Sequence, residues 1–190
     1  MRKYRMIVAL SMMVCLMTGC SGQAKKYDTN TLVVKGNGSL EEVAIEDFSE
    51  IAVQAEELEN YIDAQIDQYN DENGKQIKRT YMNTKDMNNV KLAIKYKNID
   101  SFNGFNLLEC QYADFAEIEE SAIRGTYTSV DGEQVKHTDF VNVEKAKVLV
   151  LPEATNVVVK GDILYYNDQV TYADGVATTS GEENAVIIFK

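Results

Sequence analysis

Leu58, Tyr61, Ile62, Gln65, Ile66 and Tyr69 recur at the three-and-four spacing of one helix face, and Glu56, Glu57, Glu59, Asp63 and Asp67 fall outside that stripe. The pattern predicts an amphipathic helix over about residues 55–70. Glu56 and Glu57 lie in its first turn, where the helix dipole favours negative charge. Asn70-Asp71-Glu72-Asn73-Gly74 closes it with a turn cluster. From 90 to 97 the period drops to two. Leu92, Ile94 and Tyr96 share one face and Lys91, Ala93, Lys95 and Lys97 the other, which predicts a half-buried strand with a solvated, lysine-rich face. Upstream, residues 31–35 and 40–48 flank Gly36-Asn37-Gly38-Ser39 and read as a β-hairpin.

After residue 125 the pattern is β throughout. Segments 126–130 and 134–136 flank Asp131-Gly132, a strong hairpin signal, and short apolar strands follow at 140–143, 148–151 and 157–159. Segments 163–166, 170–172 and 185–189, broken by Asn167-Asp168 and Asp174-Gly175, predict a terminal meander. Pro152, the only proline, falls at a strand end, where its missing N–H does least harm. A weaker helical pattern over about 110–122 carries Phe115 and Ile118 among Glu117, Glu119 and Glu120. The expected class is therefore α+β: a mainly antiparallel sheet with the helix at about 55–70 and a second at about 110–122 on one face.

The first twenty residues have a different character. Arg2, Lys3 and Arg5 precede an apolar run, 6–17, broken only by Ser11 and closed by Met17-Thr18-Gly19-Cys20. The run is well short of the roughly 20 residues that span a bilayer, and the order of basic, apolar and small residues is that of a secretory signal. It resembles the signal peptide and lipobox of a bacterial lipoprotein, with Met17 where the family usually carries Leu. The resemblance implies cleavage between Gly19 and Cys20, lipid on the Cys20 thiol, and an extracytoplasmic, membrane-anchored protein. Two or three acyl chains hold a protein firmly where one does not. The implied organisation is a signal peptide at 1–19, a lipidated Cys20 with a flexible tether at 20–30, and a single domain at 31–190. Short tether, opening hairpin, acidic helix and Lys-Tyr-Lys strand also resemble uncharacterised small lipoproteins of Gram-positive, clostridial-type bacteria, which implies no activity.

Composition narrows the chemistry. Without Arg2, Lys3 and Arg5 the 19 basic residues fall to 16 against 30 acidic ones, a net charge near −14. Such a chain repels nucleic acid and anionic headgroups, so no nucleic-acid partner is expected and the body should stand off the membrane. Of Cys15, Cys20 and Cys110, only Cys110 remains after cleavage and lipidation. No internal disulfide is then possible, and its apolar surroundings predict a packed thiol. His137 is the sole histidine, which excludes histidine-cluster metal sites; its polar neighbours predict a surface role. Asp71-Glu72 and Glu117-Glu119-Glu120 read as solvated faces, and Asp71-Glu72-Asn73-Gly74 lacks the alternating ligands of a calcium loop. No phosphate loop, dinucleotide fingerprint or nucleophile elbow is present, and neither cofactor nor metal is expected. Eleven tyrosines stand against no tryptophan, and Tyr166 and Tyr172 mark a candidate partner surface. The expected function is non-enzymatic binding at the cell envelope, with an envelope protein as partner. The alternatives are a small-ligand or glycan-binding lipoprotein serving transport and an envelope hydrolase using paired carboxylates, which requires two acids on one cleft with one pKa raised.

Overall fold

The glycine turn at 36–38 folds the first hairpin back on itself, and every later element is built onto that hairpin or the sheet facing it. The computed structural model describes residues 22–190. Helix α1 (Gly22–Lys26) leads to β1 (Thr31–Lys35) and β2 (Leu40–Glu46); α2 (Ala55–Asn73) precedes β3 (Ile77–Asn83) and β4 (Val90–Tyr96). Then come α3 (Ile99–Asn106), β5 (Gln111–Asp114), the single turn α4 (Glu120–Ile123) and the hairpin β6 (Thr126–Ser129) and β7 (Gln134–Lys136). The remainder is β8 (Lys147–Leu151), β9 (Asn156–Lys160), β10 (Ile163–Asn167), β11 (Val170–Ala173), β12 (Val176–Thr179) and β13 (Ala185–Phe189).

The chain is α+β, as the patterning predicts, with its strands in two sheets. One has seven strands, in the order β11-β12-β9-β1-β2-β4-β3, and the other six, β5-β8-β13-β10-β6-β7. All pairings are antiparallel except β1 with β9. Leu32, Val34, Leu40 and Tyr96 of the larger sheet meet Leu149, Leu151, Ile187 and Phe189 of the smaller one in a shared core, which Ile66 of α2 and Phe102 of α3 extend. The outer face of the smaller sheet carries a second apolar layer, in which Val148, Val150, Val186 and Ile188 lie under Phe115, Ile123 and Phe140. β13 is therefore buried at every position, which accounts for its unbroken apolar sequence.

The helices follow local chemistry. In α2, Leu58 and Ile66 are buried and Tyr61 is 59% exposed, so the buried stripe is narrower than the sequence spacing suggests. Arg79 of β3 grips the helix from the sheet, its Nε and Nη2 donating to the two Asp63 oxygens at 2.6 and 2.5 Å. Asn98 starts α3 with a reciprocal cap: its Oδ1 accepts from Ser101 N at 2.9 Å while Ser101 Oγ accepts from Asn98 N at 3.2 Å. This helix at 99–106 replaces the one expected over 110–122, which contains β5 and most of α4 instead. The acids there favour a helix, but Tyr112 and Ala113 pair with Leu149 and Val148 of β8.

Two further expectations are corrected. The terminal meander does not form, because β10 pairs with β13 while the hairpin β11–β12 between them crosses to the larger sheet. Asp174 and Gly175 both take positive φ in that hairpin's turn, a geometry glycine adopts without strain. Residues 140–143 form no strand; Phe140 instead stacks on Tyr165, with ring centroids 4.5 Å apart.

The stretch expected to be a flexible tether is docked from Gly22 onward. Ala24 is fully buried against Val43 of β2 and against Ala93, on the face of β4 expected to be solvated, and Tyr27 packs beside it. Lys91 pins this strap: its Nζ donates to the carbonyls of Ala24 and Tyr27 at 3.2 and 3.0 Å and to Asp28 Oδ1 at 2.8 Å. All three ammonium donors are thus used, two of them on backbone that would otherwise need water. Replacing Lys91 with methionine keeps the apolar stem and removes these bonds. Tryptic cleavage after Lys25 and Lys26 is then expected to accelerate about tenfold or more, since hydrogen bonds to a charged group contribute roughly 1.5–3 kcal/mol each. An unchanged cleavage rate would contradict the docked strap.

Candidate functional site

Glu41 and Glu42 are adjacent in β2, so strand alternation sends one carboxylate to each face of the larger sheet. Glu42 points inward with Leu40. Its Oε2 accepts a hydrogen bond from Tyr96 Oη at 2.7 Å, and Asn106 Nδ2 donates to the same phenol oxygen at 3.2 Å. Tyr96 is fully buried and sits edge-on to Phe102, with centroids 5.0 Å apart. Burial pushes the Glu42 carboxyl above its ordinary range and the charge on Glu153 adds to this, while the bonds from Tyr96 and Asn106 act in the opposite sense. Burial likewise holds the Tyr96 phenol well above its usual value, with the neighbouring Glu42 charge reinforcing it.

Glu42, Glu153, Cys110, Phe102, Leu151 and Thr155 line a cavity of about 190 Å³ between the sheets. Glu153, Glu46 and Asn30 are exposed and form its mouth. Cys110 is buried and unpaired, and burial pushes its thiol up to about 12, so it remains a neutral packed group as its neighbourhood predicts. The requirement stated for a paired-acid hydrolase is met here in outline, since two glutamates share one cavity and one is raised. The size is restrictive: ordinary small-molecule sites occupy roughly 300–1,000 Å³. Sequence reasoning missed Glu42 and Tyr96. The available signal was the Glu41-Glu42 pair, which cannot place both acids in solvent on a strand with one covered face.

Because its folded pKa is raised, Glu42 favours the fold most when protonated. Its contribution is complete below the ordinary carboxylate value and is lost as pH rises through the folded value. Glutamine at 42 keeps an acceptor for Tyr96 and carries no charge. Glu42→Gln is therefore expected to unfold at higher denaturant than the wild type at about pH 7.5, with the gap closing towards about pH 4. A gap independent of pH would remove this account of the half-buried acid.

The other candidate residues are dispersed. Tyr166 and Tyr172 do come together, ring centroids 5.9 Å apart, but across the two sheets, each half-buried against the shared core. Tyr166 does not offer the exposed surface expected of it, because both faces of β10 are covered. His137 lies in a short turn at 137–139. Its Nδ1 is 3.2 Å from Gly125 N and its Nε2 3.4 Å from Glu120 Oε1, with no serine or cysteine among its partners. Asp71, Glu72, Glu117, Glu119 and Glu120 are all exposed. Among the described residues no three His, Cys, Asp or Glu side chains converge as metal ligands, and no helix is long and apolar enough to cross a membrane. Gly19 and Cys20 lie outside the described residues. No protein-family model, curated protein or solved structure matches this chain.

Proposed function

We propose that this chain is a lipid-anchored extracytoplasmic protein that acts by binding at the cell envelope and not by catalysis. The observation that carries this reading is the ordered set Arg2, Lys3, Arg5, the apolar run to Met17, and Thr18-Gly19-Cys20. The docked strap is consistent with it, because Gly22, two residues after the one that would bear lipid, already belongs to a helix packed on the sheet. An envelope protein is the partner this architecture suits. Crosslinking and recovery of the full-length protein from its native membrane, beside Cys20→Ala, tests it: a partner enriched only with the anchored form supports the reading. Equal recovery by both forms, or none beyond bulk membrane protein, contradicts it.

The cavity lined by Glu42 and Glu153 favours a second reading, a lipoprotein that holds a small cationic or hydroxyl-bearing solute. A partly desolvated carboxylate is satisfied by such a group. A glycan-cleaving enzyme is less well supported, since a polymer must pass both sides of the reacting bond and about 190 Å³ leaves no room for that.

A further inference from the structure

The net negative charge conceals a strongly basic face. Register and alternation put Lys35, Lys78, Lys91, Lys95 and Lys160 on the outer side of the seven-stranded sheet, the side that carries α1, and Lys97 continues the alternation past β4. Lys35 stands directly beside Lys160, and Lys78 directly beside Lys95. Such opposed like charges are unfavourable neighbours in a sheet. Glu41 is the one acid the strands contribute to this side, and it is only 5% exposed. Lys25 and Lys26, exposed on α1, add to the same side. Eight of the 16 basic residues that follow Gly19 therefore gather on one face of a chain in which acids nearly double the bases. Only Lys91 among these eight forms an ion pair within the described residues. Asp67 and Asp71 border the edge beside Lys78 and Lys97 without pairing with them.

The course of the chain says what this face meets. α1 lies on it and includes Gly22, so chain length alone places Cys20 within roughly 7 Å of that residue. Resting on the lipid anchor proposed above, we infer that the outer face of the seven-stranded sheet lies against the anionic headgroup surface of the membrane that holds Cys20. The anchor sets the distance and the lysines set the orientation. Lysines held within a Debye length, about 8–10 Å, of such a surface feel its potential, whereas acids on the far side of the body do not. The body is thus seated on the membrane by one face, contrary to what the net charge alone would suggest.

The test uses the lipidated protein purified from membranes and reconstituted in vesicles. One set is phosphatidylcholine alone and the other contains about 30 mol % phosphatidylglycerol. Acetylation by a membrane-impermeant amine reagent is followed lysine by lysine. In the anionic vesicles Lys78, Lys95, Lys97 and Lys160 should react about threefold or more slowly than in the neutral ones, and about 0.5 M salt should abolish the difference. Lys136 and Lys145, exposed on the other half of the molecule, should react equally in both. The exposed-site variant Lys95→Glu/Lys160→Glu should free Lys78 and Lys97 in anionic vesicles. Protein that floats with the vesicles but shows no selective protection overturns the seated face and leaves the anchor standing. Protein that fails to float overturns both.

Discussion

Replacing Phe189 by alanine is expected to lower the unfolding free energy by about 3–5 kcal/mol, the cost of emptying a fully buried aromatic position. Phe189 closes a strand that lies between two partners. β13 is paired with β8 on one side and β10 on the other. Lys190 N donates to Asp162 O at 3.0 Å and Asp162 N to Lys190 O at 2.9 Å, locking the end in place. The ring contributes to the core shared by both sheets, so its removal weakens their packing as well as the strand. Denaturant unfolding should show a lower midpoint with an unchanged slope. A loss below about 1 kcal/mol would mean that the last strand is peripheral and that the two-sheet arrangement is wrong.

The second large effect is expected at Asn70, a polar residue near the end of α2. Its Oδ1 accepts from Gln76 N and Ile77 N at 2.9 and 3.1 Å, and its Nδ2 donates to Ile77 O at 2.9 Å. One side chain thus serves three backbone groups where the chain turns from the helix into the edge strand β3. Asn70→Ala leaves all three without a partner from the helix, a cost of about 2–3 kcal/mol. Asn70→Asp keeps the two accepted bonds and loses only the donated one, so it should cost less than half as much. Equal losses in the two variants would show that the contribution comes from helix propensity and not from this bridge.

The uneven legibility of the fold has physical reasons. Local signals were readable: the glycine turn after Lys35, the Asp131-Gly132 and Asp174-Gly175 turns, the period-two pattern of Leu92, Ile94 and Tyr96, and the helical stripe through Ile62 and Ile66. Each depends on residues a few positions apart. Sheet membership does not. Nothing near β11 tells the chain to leave the sheet of β10, because the instruction is the edge of β9 across the core, on which the β11–β12 hairpin docks through β12. The strand β3 was missed because it carries a register shift between Arg79 and Tyr81, which breaks the alternation that would have announced it. α3 is only eight residues long, too short for the apolar stripe that marks α2, and its decisive feature is the Asn98–Ser101 cap.

The candidate sites divide in the same way. A processing signal is linear, and Met17-Thr18-Gly19-Cys20 could be read without any fold. Glu42, the Tyr96–Asn106 pair and Glu153 come from three distant segments and meet only when the sheets close, so no spacing rule could gather them. The basic face is hidden further, since composition sums over sides that the fold keeps apart. Lys95 and Lys160 are 65 positions apart in sequence and on the same face in space.

The central claim is that lipid on Cys20 begins the mature protein, and the intact mass of the protein extracted from its native membrane tests it most directly, with the N-terminal peptide sequenced beside it. The expected result is a chain that starts at Cys20, heavier than its unmodified sequence from that residue onward by a diacylglyceryl group or more, and absent from the membrane fraction in Cys20→Ala. A chain that retains residues 1–19, or one that begins with an unmodified Cys20 and fractionates with the membrane regardless of that substitution, would contradict it.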